Sequence, residues 1–133
     1  MSAEIESYSG QLAIARLAER WALQDARIRN VSMDASGNCL NVRLTVVPRF
    51  DSTVEEAIID LGRVTRFELD WRVGDAEFYT VPGYTALLRE RGEVYISLDP
   101  FDDRADCVDD RDGDVIEAQE IDVSLRMKTV RQS

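Results

Sequence analysis

The stretch DPFDDRADCVDDRDGD, residues 99–114, holds the densest set of chemically active side chains in the chain, because half of its residues are aspartates. Arg104 and Arg111 are its only cations, so the segment has a local charge of -6. Carboxylates at this density suit three roles, which are binding a divalent cation, contacting a basic protein and keeping a surface loop hydrated. Residues 99–114 are called the acidic loop below.

The spacing within the acidic loop does not match an EF-hand calcium site. If Gly113 takes the sixth position, Val108 and Gln119 take the first and the twelfth, where Asp and Glu are needed. The chain has no histidine, and Cys39 and Cys107 are its only cysteines, so a zinc site is not expected. We predict no metal site and no cofactor, with weak divalent-ion binding by the aspartates kept as an alternative.

The sequence also lacks the residues of the common catalytic units. Without histidine, neither a Ser-His-Asp nor a Cys-His arrangement can form. Cys107 stands among aspartates, and negative neighbours disfavour the reactive thiolate. The glycine-rich phosphate-binding patterns are absent from the sequence. Two carboxylates can serve glycoside hydrolysis, but no pair is singled out by the sequence. We therefore predict a protein without catalytic residues, not an enzyme.

The negative charge of the chain is concentrated in its middle and in the acidic loop. The formal net charge is -10, of which residues 51–98 contribute -5 and the acidic loop -6, while residues 1–50 contribute +1 and residues 115–133 contribute 0. Such a field repels nucleic acids and anionic membranes and attracts basic surfaces. We expect a protein partner with a basic surface, and neither nucleic acid nor membrane as a partner.

The acidic loop is the predicted contact with that partner. Phe101 is its one large apolar residue and a candidate anchor, although the alternative that it tucks the loop onto the fold is at least as strong. A solvated connection between two strands is an equally good interpretation of the aspartates. The predicted partner-binding residues are Asp99, Phe101, Asp102, Asp103, Asp106, Asp109, Asp110, Asp112 and Asp114.

One amphipathic helix near the start and a series of strands must position these residues. SYSGQLAIARLAERWAL, residues 7–23, has apolar residues at helical spacing, and Ser9 is the predicted N-cap. Strands are predicted at residues 26–34 and 39–47 around the turn ASGN, at 64–73, at 93–98 and at 115–127. VEEAIIDL, residues 54–61, fits either period, and we favour a strand. TALLRER, residues 85–91, is predicted as a short helical turn.

These elements predict a single α+β domain over residues 1–133, with residues 128–133 as a frayed tail. The N-terminal helix is expected to pack on a curved, mainly antiparallel sheet of five to seven strands. The predicted core is Leu40, Val42, Leu44, Phe67, Leu69, Trp71, Val123 and Leu125 with Ile14, Leu17 and Trp21. The first fifteen residues contain no Lys or Arg, and no apolar run suits a signal peptide or a membrane span. We expect a cytoplasmic protein with reduced cysteines.

The helix-led acidic pattern, with LGRVTRFEL at 61–69 and EVYISLDPFDDR at 93–104, resembles small bacterial toxin–immunity proteins. The resemblance covers about the last two thirds of the chain and transfers no individual residue. It implies stoichiometric binding to a cognate toxin domain, often over the active site of the toxin. The alternatives are a structural or accessory domain of a larger assembly and a carboxylate-based divalent-ion binder.

Overall fold

The computed structural model describes residues 5–19, 26–69, 79–80, 84–89, 91–99, 108 and 111–128. These residues form eight strands and one helix, so the expected α+β fold with a mainly antiparallel sheet is confirmed. The curvature of the sheet stays a prediction. The elements are β1 (Ile5–Ser9), α1 (Gly10–Leu17), β2 (Arg27–Ser36), β3 (Cys39–Val47), β4 (Val54–Phe67), β5 (Tyr79–Thr80), β6 (Thr85–Leu88), β7 (Val94–Asp99) and β8 (Gly113–Met127).

All eight strands belong to one sheet, in which every described pair is antiparallel. The spatial order is β5-β2-β3-β4-β8-β7-β6, and β1 also pairs with β8. β8 has 15 residues, long enough to have two neighbours along one edge. Residues 113–118 pair with β7, residues 122–126 pair with β1, and the opposite edge pairs with β4. β8 is therefore the strand around which the fold is organised.

The hairpin of β2 and β3 forms where the sequence predicts it. Ser36 pairs with Cys39, which leaves Gly37 and Asn38 as a two-residue turn. Gly37 has a φ of 62°, a left-handed conformation that suits the first position of a tight hairpin turn. Pairing ends at Val47, immediately before proline, as expected from the missing N–H of that residue.

The core contains the predicted residues that the structure describes. Of these, the fully buried ones are Val42, Leu44, Val123, Leu125 and Leu17. The partly buried ones, which pack against the core, are Leu40, Phe67, Leu69 and Ile14. Trp21 and Trp71 lie outside the described residues. Alternation along each strand therefore identified the core face correctly, because successive side chains of a strand point to opposite faces.

The N-terminal helix is shorter than predicted. Residues 5–9, part of which we assigned to the helix, form β1 because they pair with β8. Gly10, with a φ of 57°, allows the chain to change from strand to helix within one residue. Ala13 and Leu17 are buried against the sheet, whereas Ala18 is exposed. Tertiary pairing of β1 thus overrides the local helical spacing.

Two further segments differ from the prediction. TALL, residues 85–88, is strand β6 and not a helical turn, since it pairs with β7. The segment 54–61 is a strand as we favoured, but it continues without a break to Phe67. The irregular pairing between Val64 and Arg66, and the positive φ of 52° at Arg63, allow this long strand to bend.

The end of the described chain is attached to the fold. We expected Lys128 to begin a frayed tail, but its backbone N–H donates to Thr53 at 2.9 Å and its Nζ donates to the carbonyl of Phe50. Cys39 is a free, exposed thiol, and Cys107 lies outside the described residues. Within the ranges given above, no helix has the length and apolar character needed to cross a membrane.

Candidate functional site

The acidic loop connects β7 to β8 and begins and ends at a pair of facing residues. Asp99 pairs with Gly113 at the last described step of the β7–β8 ladder. The hydroxyl of Ser97, which is fully buried, donates to the carbonyl of Gly113 at 2.7 Å and accepts from the N–H of Asp99 at 3.3 Å. The two ends of the loop are therefore held together by backbone pairing and by one buried hydroxyl.

Three of the predicted partner-binding residues are described, and they differ in exposure. Asp99 is exposed, Asp114 is half-buried with a φ of 50°, and Asp112 is buried at 8% exposure. Aspartate tolerates the left-handed conformation better than most residues. The predicted residues that lie outside the described part of the chain are Phe101, Asp102, Asp103, Asp106, Asp109 and Asp110.

Asp112 has a structural role in the fold, and its role as a partner contact stays a prediction. The hydroxyl of Tyr95, on β7, donates to its Oδ2 at 2.6 Å, and Tyr95 is itself fully buried. Burial, and then the hydrogen bond to the Asp112 carboxylate, raise the pKa of Tyr95 well above its ordinary value. The Asp112 carboxylate is thus used inside the fold, where it fixes the end of the acidic loop to β7.

A second group of carboxylates, which sequence analysis did not single out, lies on the side of the sheet away from the core. It surrounds an open depression of about 400 Å³ over β2, β3, β4 and β8. We call this surface the acidic sheet face and define it by its four carboxylates, Asp34, Asp60, Glu120 and Asp122. Arg43 is the one cation among the residues that line this depression. The lining residues therefore have a net negative charge.

The centre of the acidic sheet face is a pair of like charges. Asp60 and Asp122 are directly opposite each other on the neighbouring strands β4 and β8. Carboxylates in this relation repel each other across the few ångströms that separate paired side chains. Arg43 binds Asp60 from β3, with Nε–Oδ1 at 2.6 Å and Nη2–Oδ2 at 3.2 Å, and this hydrogen bonding raises the pKa of Arg43. On the other side, the Ser9 hydroxyl donates to Asp122.

The Ser9 side chain therefore hydrogen-bonds to the neighbouring strand β8 and not to the start of α1. It occupies the N-cap position of α1 as predicted, but its side chain makes no cap hydrogen bond. Its register partner on β8 is Asp122, which accepts its hydroxyl. Among the described residues, Asp60 thus pairs with a cation, whereas Asp122 pairs with a neutral hydroxyl.

Gly62 allows the carboxylate of Glu120, on the neighbouring strand β8, to lie over β4. Gly62 pairs with Glu120, and a Cβ at Gly62 would come within 2.7 Å of Oε2 of Glu120. Arg63 Nε lies 3.9 Å from Oε1 of the same carboxylate, at the edge of the face. The backbone N–H of Arg63 donates to Oδ1 of Asn41 at 3.3 Å. Close approach of a polar side chain to the sheet is therefore possible at this position because Gly62 has no side chain.

A smaller depression of about 330 Å³ adjoins the acidic sheet face near the start of α1. It shares Glu120 and Asp122 with that face and adds the side of Leu88, which is half-buried on β6. The combination of carboxylates and an adjacent apolar side chain suits a long basic side chain, whose aliphatic stem can lie on apolar surface while its charged end reaches an acid.

Neither metal binding nor acid–base catalysis is favoured by this geometry. Within the described residues, no group of three or more Cys, Asp or Glu side chains is arranged to hold a metal ion. Glycoside hydrolysis needs one carboxyl in an apolar environment that keeps it protonated. The Asp60 side chain is 38% exposed, and Asp122 is exposed as well. The arrangement is suited to electrostatic recognition of a cationic surface.

The sequence contains a partial signal for the acidic sheet face. Asp60 stands between the buried residues Ile59 and Leu61, and Asp122 between Ile121 and Val123. Alternation therefore places both aspartates on the outer side of their strands. The alternation of one strand does not specify which residue of another strand lies opposite, so the Asp60–Asp122 pair could not be found from the sequence.

The fold and this surface define a sheet-rich α+β protein with a carboxylate-rich outer face. Comparison with protein-family models, with curated proteins and with solved structures gives no match to this chain.

Proposed function

We propose that this chain is a non-catalytic, cytoplasmic immunity protein that neutralises a cognate toxin by stoichiometric binding through its acidic surfaces. The observation that carries the proposal is the direct opposition of Asp60 and Asp122 on the outer face of the sheet. Like charges at paired positions destabilise a sheet by a few tenths of a kcal/mol to about 1 kcal/mol. Neither residue is needed to fill the core, so a cost of this kind suggests a gain elsewhere.

A basic side chain from a partner would turn the opposed carboxylates into a favourable contact when the two proteins bind. A Lys or Arg placed over Asp122 would neutralise a charge that pairs with no cation among the described residues, and it would reduce the repulsion toward Asp60. The depression next to Asp122 offers Leu88 for the aliphatic part of the same side chain. Binding would therefore stabilise the sheet as well as the complex.

The acidic loop contributes to association over a longer range. Its local charge of -6 attracts a basic surface before contact, and such steering raises the association rate more than the final affinity. The proposed contacts of the loop are the nine predicted partner-binding residues, of which Asp112 also accepts a hydrogen bond from Tyr95 inside the fold. Each exposed charge pair would contribute only about 0.2–1 kcal/mol.

The proposal is tested by co-expression and pull-down with the products of neighbouring genes, followed by association kinetics with the captured protein. Two variants separate the surfaces, namely Asp122→Asn for the acidic sheet face and a fourfold Asp→Asn change at residues 102, 103, 109 and 110 for the loop. Glu55→Gln, an exposed change on β4 outside both acidic surfaces, is the matched control.

Both variants should associate more slowly than wild type at low salt and approach it at high salt, because salt screens exposed charges. Asp122→Asn should also dissociate faster, since it removes a contact made in the complex. Unchanged kinetics for both variants, or an equal loss in Glu55→Gln, would contradict the proposal. A complex that forms with a non-toxic subunit would favour the accessory-domain alternative.

A further inference from the structure

Asp112 and Gly113 form the only Asp-Gly dipeptide in the chain, and the sequence contains no Asn-Gly. Aspartate isomerises most readily before glycine, because a residue without a side chain leaves its backbone nitrogen free to approach the preceding carboxyl group. The dipeptide lies where the acidic loop enters β8. The base of the acidic loop therefore contains the residues for a slow covalent rearrangement of the main chain.

The rearrangement is a ring closure followed by hydrolysis, and it needs water alone. The backbone nitrogen of Gly113 bonds to Cγ of Asp112 and loses its proton, while the carboxyl group loses a hydroxyl, so that water leaves and a succinimide forms. Water then opens the ring. Addition at Cγ restores aspartate, whereas addition at the α-carbonyl leaves the main chain running through Cβ and Cγ, which is isoaspartate. The carboxylate is kept, so the net charge does not change.

The fold uses both residues of this dipeptide. Asp112 supplies the carboxylate that accepts the hydroxyl of the buried Tyr95 at 2.6 Å. A Cβ at Gly113 would come within 3.3 Å of Oδ2 of Asp99 and 3.5 Å of its backbone carbonyl, closer than two side chains normally pack. Glycine thus suits the close approach of β7 to β8, and the labile dipeptide follows from two separate structural contacts.

The same contacts oppose ring closure in the folded protein. Gly113 is the first residue of β8 and pairs with Asp99, and its carbonyl accepts the hydroxyl of Ser97 at 2.7 Å. The Tyr95 bond directs the Asp112 carboxylate toward β7, where the residue is only 8% exposed. Closure requires this carboxyl to turn toward the nitrogen of Gly113 and the backbone to leave the strand. It therefore needs a locally opened state, in which the Tyr95 bond is broken.

We propose that Asp112–Gly113 is a site of spontaneous isoaspartate formation, at a rate controlled by the hydrogen bond from Tyr95. Isomerisation inserts one carbon atom into the main chain at the start of β8 and moves the carboxylate from Cβ to Cα. Tyr95 then loses its acceptor, and the acidic loop loses its internal attachment. The inference does not depend on the proposed binding of a toxin.

The test follows isoaspartate in the full chain during incubation at neutral pH and physiological temperature, with electron-transfer fragmentation of its peptides to distinguish the two linkages. Folded wild type should isomerise at Asp112 about tenfold or more slowly than the same chain unfolded in guanidinium chloride, because only the opened state reacts. Folded Tyr95→Phe should isomerise about fivefold or more faster than folded wild type, since local opening no longer breaks a buried hydrogen bond.

Two controls separate the Tyr95 bond from a general loss of stability. Gly37→Ala weakens the fold at the β2–β3 turn, and Tyr84→Phe removes a hydroxyl that donates to the carbonyl of Leu17. Both should keep the wild-type rate. An equal increase in Gly37→Ala and Tyr95→Phe, or a rate in Tyr95→Phe no higher than in wild type, would overturn the inference. So would an unfolded chain that forms no isoaspartate at Asp112, or one that isomerises no faster than the folded protein.

Discussion

The buried hydroxyl of Tyr95 donates a hydrogen bond of 2.6 Å to Asp112, and this bond joins the start of β7 to the last residue before β8. The contact closes the base of the acidic loop from the inside, while Ser97 closes it at the level of the paired ends. The carboxylate of Asp112, in the most acidic part of the chain, thus stabilises the fold. The bond leads to predictions about stability and about its pH dependence.

Tyr95→Phe should lower the free energy of unfolding by about 1–3 kcal/mol, because a buried carboxylate then loses a hydrogen-bond donor. The matched control is Tyr84→Phe, which removes the hydroxyl that donates to the carbonyl of Leu17 from a half-buried tyrosine. That change should cost less, about 0.5–1.5 kcal/mol. Urea unfolding followed by fluorescence measures both. An equal or smaller cost for Tyr95→Phe would contradict the structural role of Asp112.

The stability of the protein should decrease in alkaline solution through Tyr95. Its pKa is raised by burial and by the Asp112 hydrogen bond above the ordinary value of 10.0. Below the ordinary tyrosine pKa, the folded and unfolded states both keep the Tyr95 proton, so the hydrogen bond to Asp112 stabilises the fold in full. At higher pH the unfolded state releases the proton first, so the free energy of unfolding falls by up to about 1.4 kcal/mol per pH unit for this group. Urea titrations between about pH 9 and 11 should give a shallower decline for Tyr95→Phe than for wild type.

Asp122→Asn should raise the free energy of unfolding by about 0.2–1 kcal/mol, because it removes one of two opposed charges. The amide oxygen can still accept the Ser9 hydroxyl, so the existing contact is kept. Added salt should stabilise wild type more than the variant, because salt screens the Asp60–Asp122 repulsion, which the variant no longer has. Thermal unfolding at low and high salt provides the measurement, and a destabilised variant would contradict a net repulsion between Asp60 and Asp122.

Gly37→Ala should destabilise the protein by about 1–2 kcal/mol, since the φ of 62° at this turn is unfavourable for a residue with a Cβ. No atom lies within 4 Å of the position that a Cβ would occupy, so the cost comes from the backbone alone. Gly37→Asn should cost less than Gly37→Ala, because asparagine adopts this conformation more readily. Chemical denaturation of the two variants tests this order, and a reversed order would exclude a left-handed Gly37.

Cys39 and Cys107 should both carry free thiols in the protein isolated from cells. Cys39 is exposed next to the β2–β3 turn, where a thiol-blocking reagent can reach it. Mass spectrometry of protein that is blocked during lysis should show two modified cysteines. A species two protons lighter with neither cysteine modified would show that they are joined.

Local sequence patterns were enough to predict the strands β2, β3, β4, β7 and β8, and alternation identified the core-facing residues of β3 and β8. Val42 and Leu44 on β3, and Val123 and Leu125 on β8, alternate with polar residues, and burial of apolar area is strong enough to make this local pattern decisive. The two-residue turn at Gly37 was likewise readable, because few residues adopt its conformation. The length and charge of the acidic loop were also evident from composition alone.

Long-range strand pairing sets which distant residues lie side by side, and it could not be predicted from the sequence. The pairing of β1 with β8 took residues 7–9 out of the predicted helix, since backbone hydrogen bonds to a central strand outweigh a weak local helical preference. The same long-range pairing placed Asp60 opposite Asp122 and brought Tyr95 to Asp112. These contacts join residues far apart in the chain, and their register depends on the packing of the whole sheet, which the alternation within one strand does not contain.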